Sequence, residues 1–303
     1  MARITRADDT SGWLLTERSI IGRSHACHVR LRDARVSAEH ALLRWNHRAW
    51  ELQDLGSRNG TFVARRGIAV GQRVTLAAGD VLGFGGPDGY VLTCAGPPEP
   101  FAVPVDGGPP VEGANGLLVL PDAARPELTV YRGRDQAWSV EQAGRVQVVS
   151  DGATVESTTG EWRLRLPESL PPTEKAIEDK PTIDALTLRF RVSPDEEAVE
   201  LLALHGPRAI GLNVRTHHYP LLLLARARLR DVKLPAERQG WIQQTDLCRQ
   251  LRCDVDRLYI DIFRCRRQFA EAGVVDAAKV VERRSGTGLI RIGVGSLEVV
   301  PLL

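Results

Sequence analysis

The chain has 303 residues, 43% of them hydrophobic and 26% charged, with a formal net charge of +2. That length carries two or three domains with cores of their own, and the composition is that of a globular protein, which excludes a disordered or fibrous chain. No apolar run approaches membrane-spanning length and the amino terminus lacks an apolar leader, so a cytoplasmic protein with no membrane partner is expected.

Five cysteines, at 27, 94, 248, 253 and 265, are too scattered for a disulfide scaffold. Cys248, Cys253 and Cys265 lack the CxxC spacing of a metal site and fall where a helix core is expected, so no metal is predicted. The basic residues are 36 Arg against 4 Lys, a bias that points to a GC-rich bacterial genome. Charge is unevenly divided along the chain. Residues 1–96 carry 13 basic and 9 acidic groups, residues 97–205 carry 10 and 19, and residues 206–303 carry 17 and 10. Both ends suit anionic ligands, and the middle does not.

In residues 1–96, short β-like runs alternate with turns, the pattern of an all-β sandwich. Three motifs stand out in this segment: Ile21-Gly22-Arg23-Ser24, Val36-Ser-Ala-Glu-His40, and Asp54-Leu-Gly-Ser-Arg-Asn-Gly-Thr-Phe62. Arg23, at the end of a predicted strand, can fork two donors to a phosphate. Ser37 offers a hydroxyl and a loop N–H, Arg35 and Arg58 add positive field, and Asn59 can bond the main chain beside the phosphate. Gly22 and Gly60 mark places of close approach or positive φ.

These motifs, in this order and spacing, resemble the forkhead-associated (FHA) domain, a β-sandwich whose loops bind phosphothreonine. The resemblance implies a phosphothreonine-containing protein, or its Ser/Thr kinase, as partner. It also implies that His40 is structural, holding the binding loops rather than touching phosphate. Ala38 stands where the family often has Asn or Arg. Ala64-Arg-Arg-Gly67 replaces a common second Asn-Gly turn.

Residues 97–116 form a Pro/Gly-rich stretch that reads as a linker with little packing. From 117 to 166 short β-like runs recur, enough for a small sheet against a neighbour but without a motif whose chemistry is legible. A second linker, 167–184, mixes Pro with acids and carries Thr173 and Thr182 as accessible threonines.

Residues 185–303 change pattern. Runs at 186–192, 198–204 and 210–213 read as strands. Helices follow at 219–230, with Thr216 as N-cap, at 245–251, and at 255–272, with Asp254 as N-cap and Gly273 as stop. In the last helix Leu258, Ile262, Cys265 and Phe269 form a buried stripe. Tyr259, Ile260 and Phe263 lie off that stripe, free to meet the hairpin, another domain or a partner protein. The segments 279–284 and 289–292 flank Ser285-Gly-Thr-Gly288 as a β-hairpin. Strands, three helices and a hairpin resemble the winged helix-turn-helix effector domain of OmpR-type response regulators.

That resemblance implies duplex DNA as a partner, with the third helix in the major groove and the wing in the adjacent minor groove. Arg264 and Arg266 fall on DNA-contacting helix positions, Arg284 precedes the wing turn, and Arg257 and Arg267 add charge on the same helix. Asp261 faces DNA in the family, where a carboxylate repels phosphate.

The expected fold is therefore multidomain α+β: an FHA-like sandwich, a small β-rich middle and a C-terminal winged helix. The expected function is a phosphothreonine-dependent transcription regulator in Ser/Thr-kinase signalling. The alternative is an adaptor that uses the winged helix for protein contacts. No cofactor and no enzymatic activity are expected, since no phosphate-cradling loop with Lys, nucleophile elbow or metal-ligand spacing occurs. An acidic middle beside a basic C-terminal segment raises a further expectation, that the two lie together and compete with DNA.

Overall fold

A computed structural model describes residues 1–8, 12–133, 136–168, 181–284 and 286–302. Thr173 and Ser285 lie outside these residues. Contacts divide the chain into two units, Met1–Glu99 with Arg165–Leu170, and Pro100–Leu164 with Pro171–Leu303. None of the described helices is long and apolar enough to cross a membrane.

The first unit packs two sheets face to face. One runs, in spatial order, Gly12–Leu14, Ala2–Arg6, Tyr90–Ala95, Val81–Phe84, Thr61–Val63 and Arg66–Gly67. The other runs Val29–Arg30, Arg18–Gly22, Ala41–Trp45, Trp50–Asp54 and Arg73–Leu76. Period-two alternation sets which side chains turn inward: in Trp50–Asp54, residues 50, 52 and 54 are buried and the two between are half-exposed. Ile4, Ile21, Leu43, Trp50, Leu52, Leu82 and Leu92 fill the space between the sheets. The Trp50 indole is wholly buried, and its N–H is satisfied by the Gly96 carbonyl at 2.9 Å.

The second unit begins earlier than the sequence suggests. Phe101–Pro104 and Val111–Glu112, within the expected linker, are strands of a four-stranded sheet completed by Gly160–Arg165 and Thr154–Ser157. Phe101 and Ala102 are buried there, so this part of 97–116 is packed chain and not linker. A second four-stranded sheet runs Leu117–Pro121, Pro126–Arg132, Trp138–Gln142 and Arg145–Val149. Its register pairs Thr129 with Glu141 and Tyr131 with Ser139, which puts these four on one face, while Leu128, Val130, Trp138 and Val140 take the other. All eight are buried, so the central strands are covered on both faces.

The remainder of this unit has a sheet of Arg208–Val214, Val199–His205, Thr187–Val192 and Ser296–Pro301. The last strand, not expected from the sequence, runs parallel to Thr187–Val192. Three helices follow the first strands: α1 (His218–Arg230), α2 (Gln244–Leu251) and α3 (Val255–Glu271). The N-cap of α1 is His217, without a side-chain bond, and not Thr216. At α3, the Asp254 carboxylate accepts from the Arg257 amide at 2.7 Å, and Gly273 at φ +87° closes the helix. Val281–Arg284 and Leu289–Ile292 form a hairpin, to which Ile242–Gln243 adds a third strand. Phe190, Leu221, Leu258, Ile262, Cys265, Phe269 and Ile290 share one core. His217 and His218 both bond the Gln268 side-chain oxygen, which makes them packing residues at the head of α1.

The sequence pattern sets 117–166 apart from 185–303, but the structure joins them in one unit. The joint is made of side chains facing α3.

Candidate functional site

At one end of the first unit three loops are tied together. The Arg18–Gly22 strand stops at Gly22, where a Cβ would lie 2.2 Å from the Ala38 carbonyl oxygen, so close approach is the need this glycine meets. Just beyond it, the Arg23 amide donates to Ser37 O at 2.9 Å and the Ser24 amide to Ala38 O at 3.0 Å. Arg23 is exposed and, among the described residues, spends only Nε, on the Val36 carbonyl at 3.3 Å. Its two terminal nitrogens remain available to an anion.

His40 is the hub. Fully buried, it accepts the Ser37 amide at Nδ1 (3.0 Å) and donates from Nε2 to Gly60 O (3.1 Å). It also stands edge-on to Phe84. These partners require the neutral ring with its proton on Nε2. Burial lowers its pKa below the ordinary histidine value, against a smaller opposing pull from the Gly60 carbonyl. Gly60 itself sits at φ +80°, a left-handed position that favours glycine.

Asp54 organises the third loop. Its buried carboxylate accepts from the amides of Gly56 (2.8 Å) and Ser57 (3.0 Å) and from the hydroxyls of Ser57 and Thr61. Burial pushes its pKa up, but these bonds outweigh that effect and leave it below the ordinary value. The Arg58 amide donates to Ser37 Oγ at 3.1 Å, and Asn59 Nδ2 donates to Arg35 O at 2.8 Å.

All five residues expected at the phosphate site are thereby brought together: Arg23, Ser37, Arg35, Arg58 and Asn59. Their duties differ in detail from the sequence expectation. The Ser37 N–H is consumed by His40, so only its hydroxyl can donate to a ligand. Asn59 uses its amide as a strut between loops, leaving Oδ1 for a peptide main chain. Arg35 is paired with Asp33 at 2.8 Å, and the Arg35 bonds hold the Asp33 carboxyl down at about 2. Among the described residues the Arg58 guanidinium has no partner. The sequence alone gives Asp54, Ser57 and Thr61 no role, although they lie within the third motif.

The surface of α3 is less simple. Arg257 and Arg264 both lean on Asp261, at 3.1 and 3.6 Å, and Arg267 pairs with Glu271 at 2.7 Å. Arg284, exposed on the hairpin, lies over the Trp241 ring. Arg266 departs from expectation. Its side chain is 1% exposed and pairs through Nη1 with Glu141 at 2.7 Å, while Nε and Nη2 donate to the carbonyls of Ala278 and Val281. Its guanidinium also covers the Tyr131 ring. As folded here, Arg266 cannot contact DNA, because the 117–149 sheet occupies the space it would cross.

Glu141 receives a second guanidinium, Arg283 Nε at 2.6 Å. Burial opposes its ionisation, but Arg266 and Arg283 outweigh that and keep it a carboxylate. Around this pair, the Tyr259 hydroxyl bonds Thr129, and Phe263 packs on Leu117 and Tyr131.

Residues 19–85 match the FHA domain family. The chain is 31% identical to the FhaA FHA domain, solved in complex with the intracellular domain of another protein. That match covers 30% of this chain and 98% of the other, at a TM-score of 0.27. With Mycobacterium tuberculosis EmbR, solved in complex with a low-affinity phosphopeptide, it shares 28% identity over 30% of this chain and 23% of that one, at a TM-score of 0.28. It is also 37% identical over 75 residues to protein phosphatase 2C 70 of Arabidopsis thaliana, a match spanning 22% of this chain and 13% of the phosphatase. The first unit thus contains an FHA domain.

Proposed function

We propose that this chain is a phosphothreonine-dependent transcription regulator. Its FHA domain receives a Ser/Thr-kinase signal in the cytoplasm, and its C-terminal helices and hairpin act as a winged helix on duplex DNA. The activity is binding, not catalysis. One observation carries the first half. Three loops, fixed by His40, Asp54 and Asn59, present the uncommitted nitrogens of Arg23, the Ser37 hydroxyl and the free Arg58 guanidinium at one place. A phosphothreonine brings nearly two charges and three acceptor oxygens, and these groups complement them.

The second half is supported by element order. A helix (α2), a turn at Arg252 in the left-handed region, a longer helix (α3) and a hairpin follow one another as in a winged helix. The surplus of 17 basic over 10 acidic residues in 206–303 favours a polyanion. Arg257, Arg264, Arg267 and Arg284 are the exposed groups proposed to reach it.

The adaptor reading draws on a different observation. Arg266 is buried, and the other three arginines of α3 are paired with carboxylates, so the solvent face of this helix is electrically close to neutral. Titration of full-length chain with phosphorylated and unphosphorylated threonine peptides tests the first half; equal affinities would end it. Retention of random duplex DNA at low salt, falling steeply as salt rises, tests the second. A chain that never shifts DNA at low salt is an adaptor.

A further inference from the structure

Helix α3 has three faces. Leu258, Ile262, Cys265 and Phe269 turn into the core of the helices, and Asp256, Arg257, Arg264, Arg267 and Glu271 meet solvent. The third face, Tyr259, Phe263 and Arg266, is buried against the Thr129–Tyr131–Glu141 side of the 117–149 sheet. Arg283 of the hairpin turns to the same carboxylate. A helix and a hairpin thus form a socket of two guanidiniums, and one glutamate from elsewhere in the chain fills it.

Two features mark this filling as replaceable. The socket is under-neutralised, with two positive charges meeting one negative charge, and Arg283 Nη2 is buried with no partner among the described residues. An anion with more charge and more acceptor oxygens satisfies it better. Moreover, among the described residues the covering sheet shares no strand pairing with the sheets of residues 187–214, 242–243, 281–292 and 296–301. It can therefore leave without breaking a backbone ladder.

From this we infer that the 117–149 sheet is a displaceable cover over an anion socket formed by Arg266 and Arg283. Glu141 occupies, within the chain, the place that a backbone phosphate of duplex DNA takes when the cover is off. The inference rests on the winged-helix reading above, in which DNA backbone passes between the third helix and the wing. In the covered form, DNA binding is weakened and not abolished, because Arg266 and Arg283 are withheld while the exposed arginines of α3 and the hairpin remain.

The test uses full-length chain, as wild type, Glu141→Gln and Glu141→Arg. Hydroxyl-radical footprinting reads the exposure of Tyr131, Tyr259 and Phe263, with Trp50 and Phe190 as reporters of the two folded cores. Mobility shift with random duplex DNA at low salt is measured on the same samples. The expected result is several-fold faster oxidation of the three interface aromatics, unchanged Trp50 and Phe190, and DNA affinity raised on the order of tenfold. If Glu141→Arg exposes the core reporters, the isosteric Glu141→Gln decides. Interface aromatics as protected as in wild type, in a folded variant with wild-type DNA affinity, overturn the cover and leave the DNA reading to the solvent face of α3. Exposed aromatics with no DNA retention overturn the DNA reading, and with it phosphate as the second occupant.

Discussion

Arg23 is the residue on which the proposed phosphate recognition turns, because it offers a fork and spends little of it on the protein. Arg23→Ala should cost about 1.5–3 kcal/mol for each charged hydrogen bond lost to the phosphate, with the fold unchanged. Calorimetric titration of a phosphothreonine peptide against folded variant measures it; affinity equal to wild type would show the fork lies elsewhere. Asp54 acts at one remove. Asp54→Ala leaves two amides and two hydroxyls without their acceptor, at about 1–3 kcal/mol per buried donor left unmet. Both the melting temperature and peptide affinity should fall together, and a variant that loses neither would refute the loop-anchoring role.

His40 makes a prediction in pH. Its folded pKa is lowered, so the stability it contributes is fully present above the unfolded value of about 6.5 and is lost as pH falls through the folded one. An NMR titration of the imidazole should give a midpoint below that of a free histidine; a midpoint at or above it would contradict the buried neutral ring. His218, which burial pushes down to about 4, should titrate lower still.

Among elements, α3 shows what a sequence can and cannot declare. Its core stripe is legible because a 3.6-residue period repeats over about three turns, from Leu258 to Phe269, and its start and stop because Asp254 and Gly273 are local signals. Its second buried face was visible only as apolar residues off the stripe. The partner of Arg266 lies 125 residues away, and no local rule reaches that far. Distance also hid Ser296–Pro301, which pairs with a strand 109 residues earlier. The strands at 101–104 and 111–112 were masked by proline and glycine. Phe101–Pro104 is a strand because Gly160–Arg165 supplies a ladder, as in the bond from the Val105 amide to Glu161 O at 2.9 Å, and Val111–Glu112 pairs in turn with Phe101 and Ala102. The phosphate-site loops lay open to reading because their chemistry is concentrated in three short motifs. What stayed hidden there was who bonds whom, notably the Ser37 amide taken by His40.

A mutational contrast follows from α3. Arg266→Ala removes one of two partners from a buried carboxylate and should destabilise the second unit by about 3–5 kcal/mol. Arg267→Ala, on the exposed pair with Glu271, should cost less than about 1 kcal/mol. Urea unfolding of the two variants checks the order, and similar costs would mean that Arg266 is not the keystone its burial indicates.

For the whole molecule, charge is segregated by segment, with surplus positive charge at both ends and surplus negative charge between. At each end arginine supplies nearly all of the positive charge, a side chain that remains ionised at any accessible pH. The salt response of the proposed DNA contact should therefore be set by how many arginines reach phosphates. Removing one such contact, as in Arg284→Ala, should lower the slope of log affinity against log salt by about one. An unchanged slope with altered sequence preference would instead assign Arg284 to a base edge.

The bonds that tie the three FHA loops carry a consequence for timing. Since His40, Asp54 and Asn59 already fix the loops in the unliganded protein, arrival of a phosphopeptide requires little rearrangement. Association is then similar from one phosphopeptide to the next, and partners differ mainly in how long they stay. A phosphate seated, as proposed, among Arg23, Ser37 and Arg58 would also be shielded from phosphatases for as long as it stays there. Residence time thus becomes the clock of the signal: a slowly leaving partner keeps its mark, and a quickly leaving one is erased.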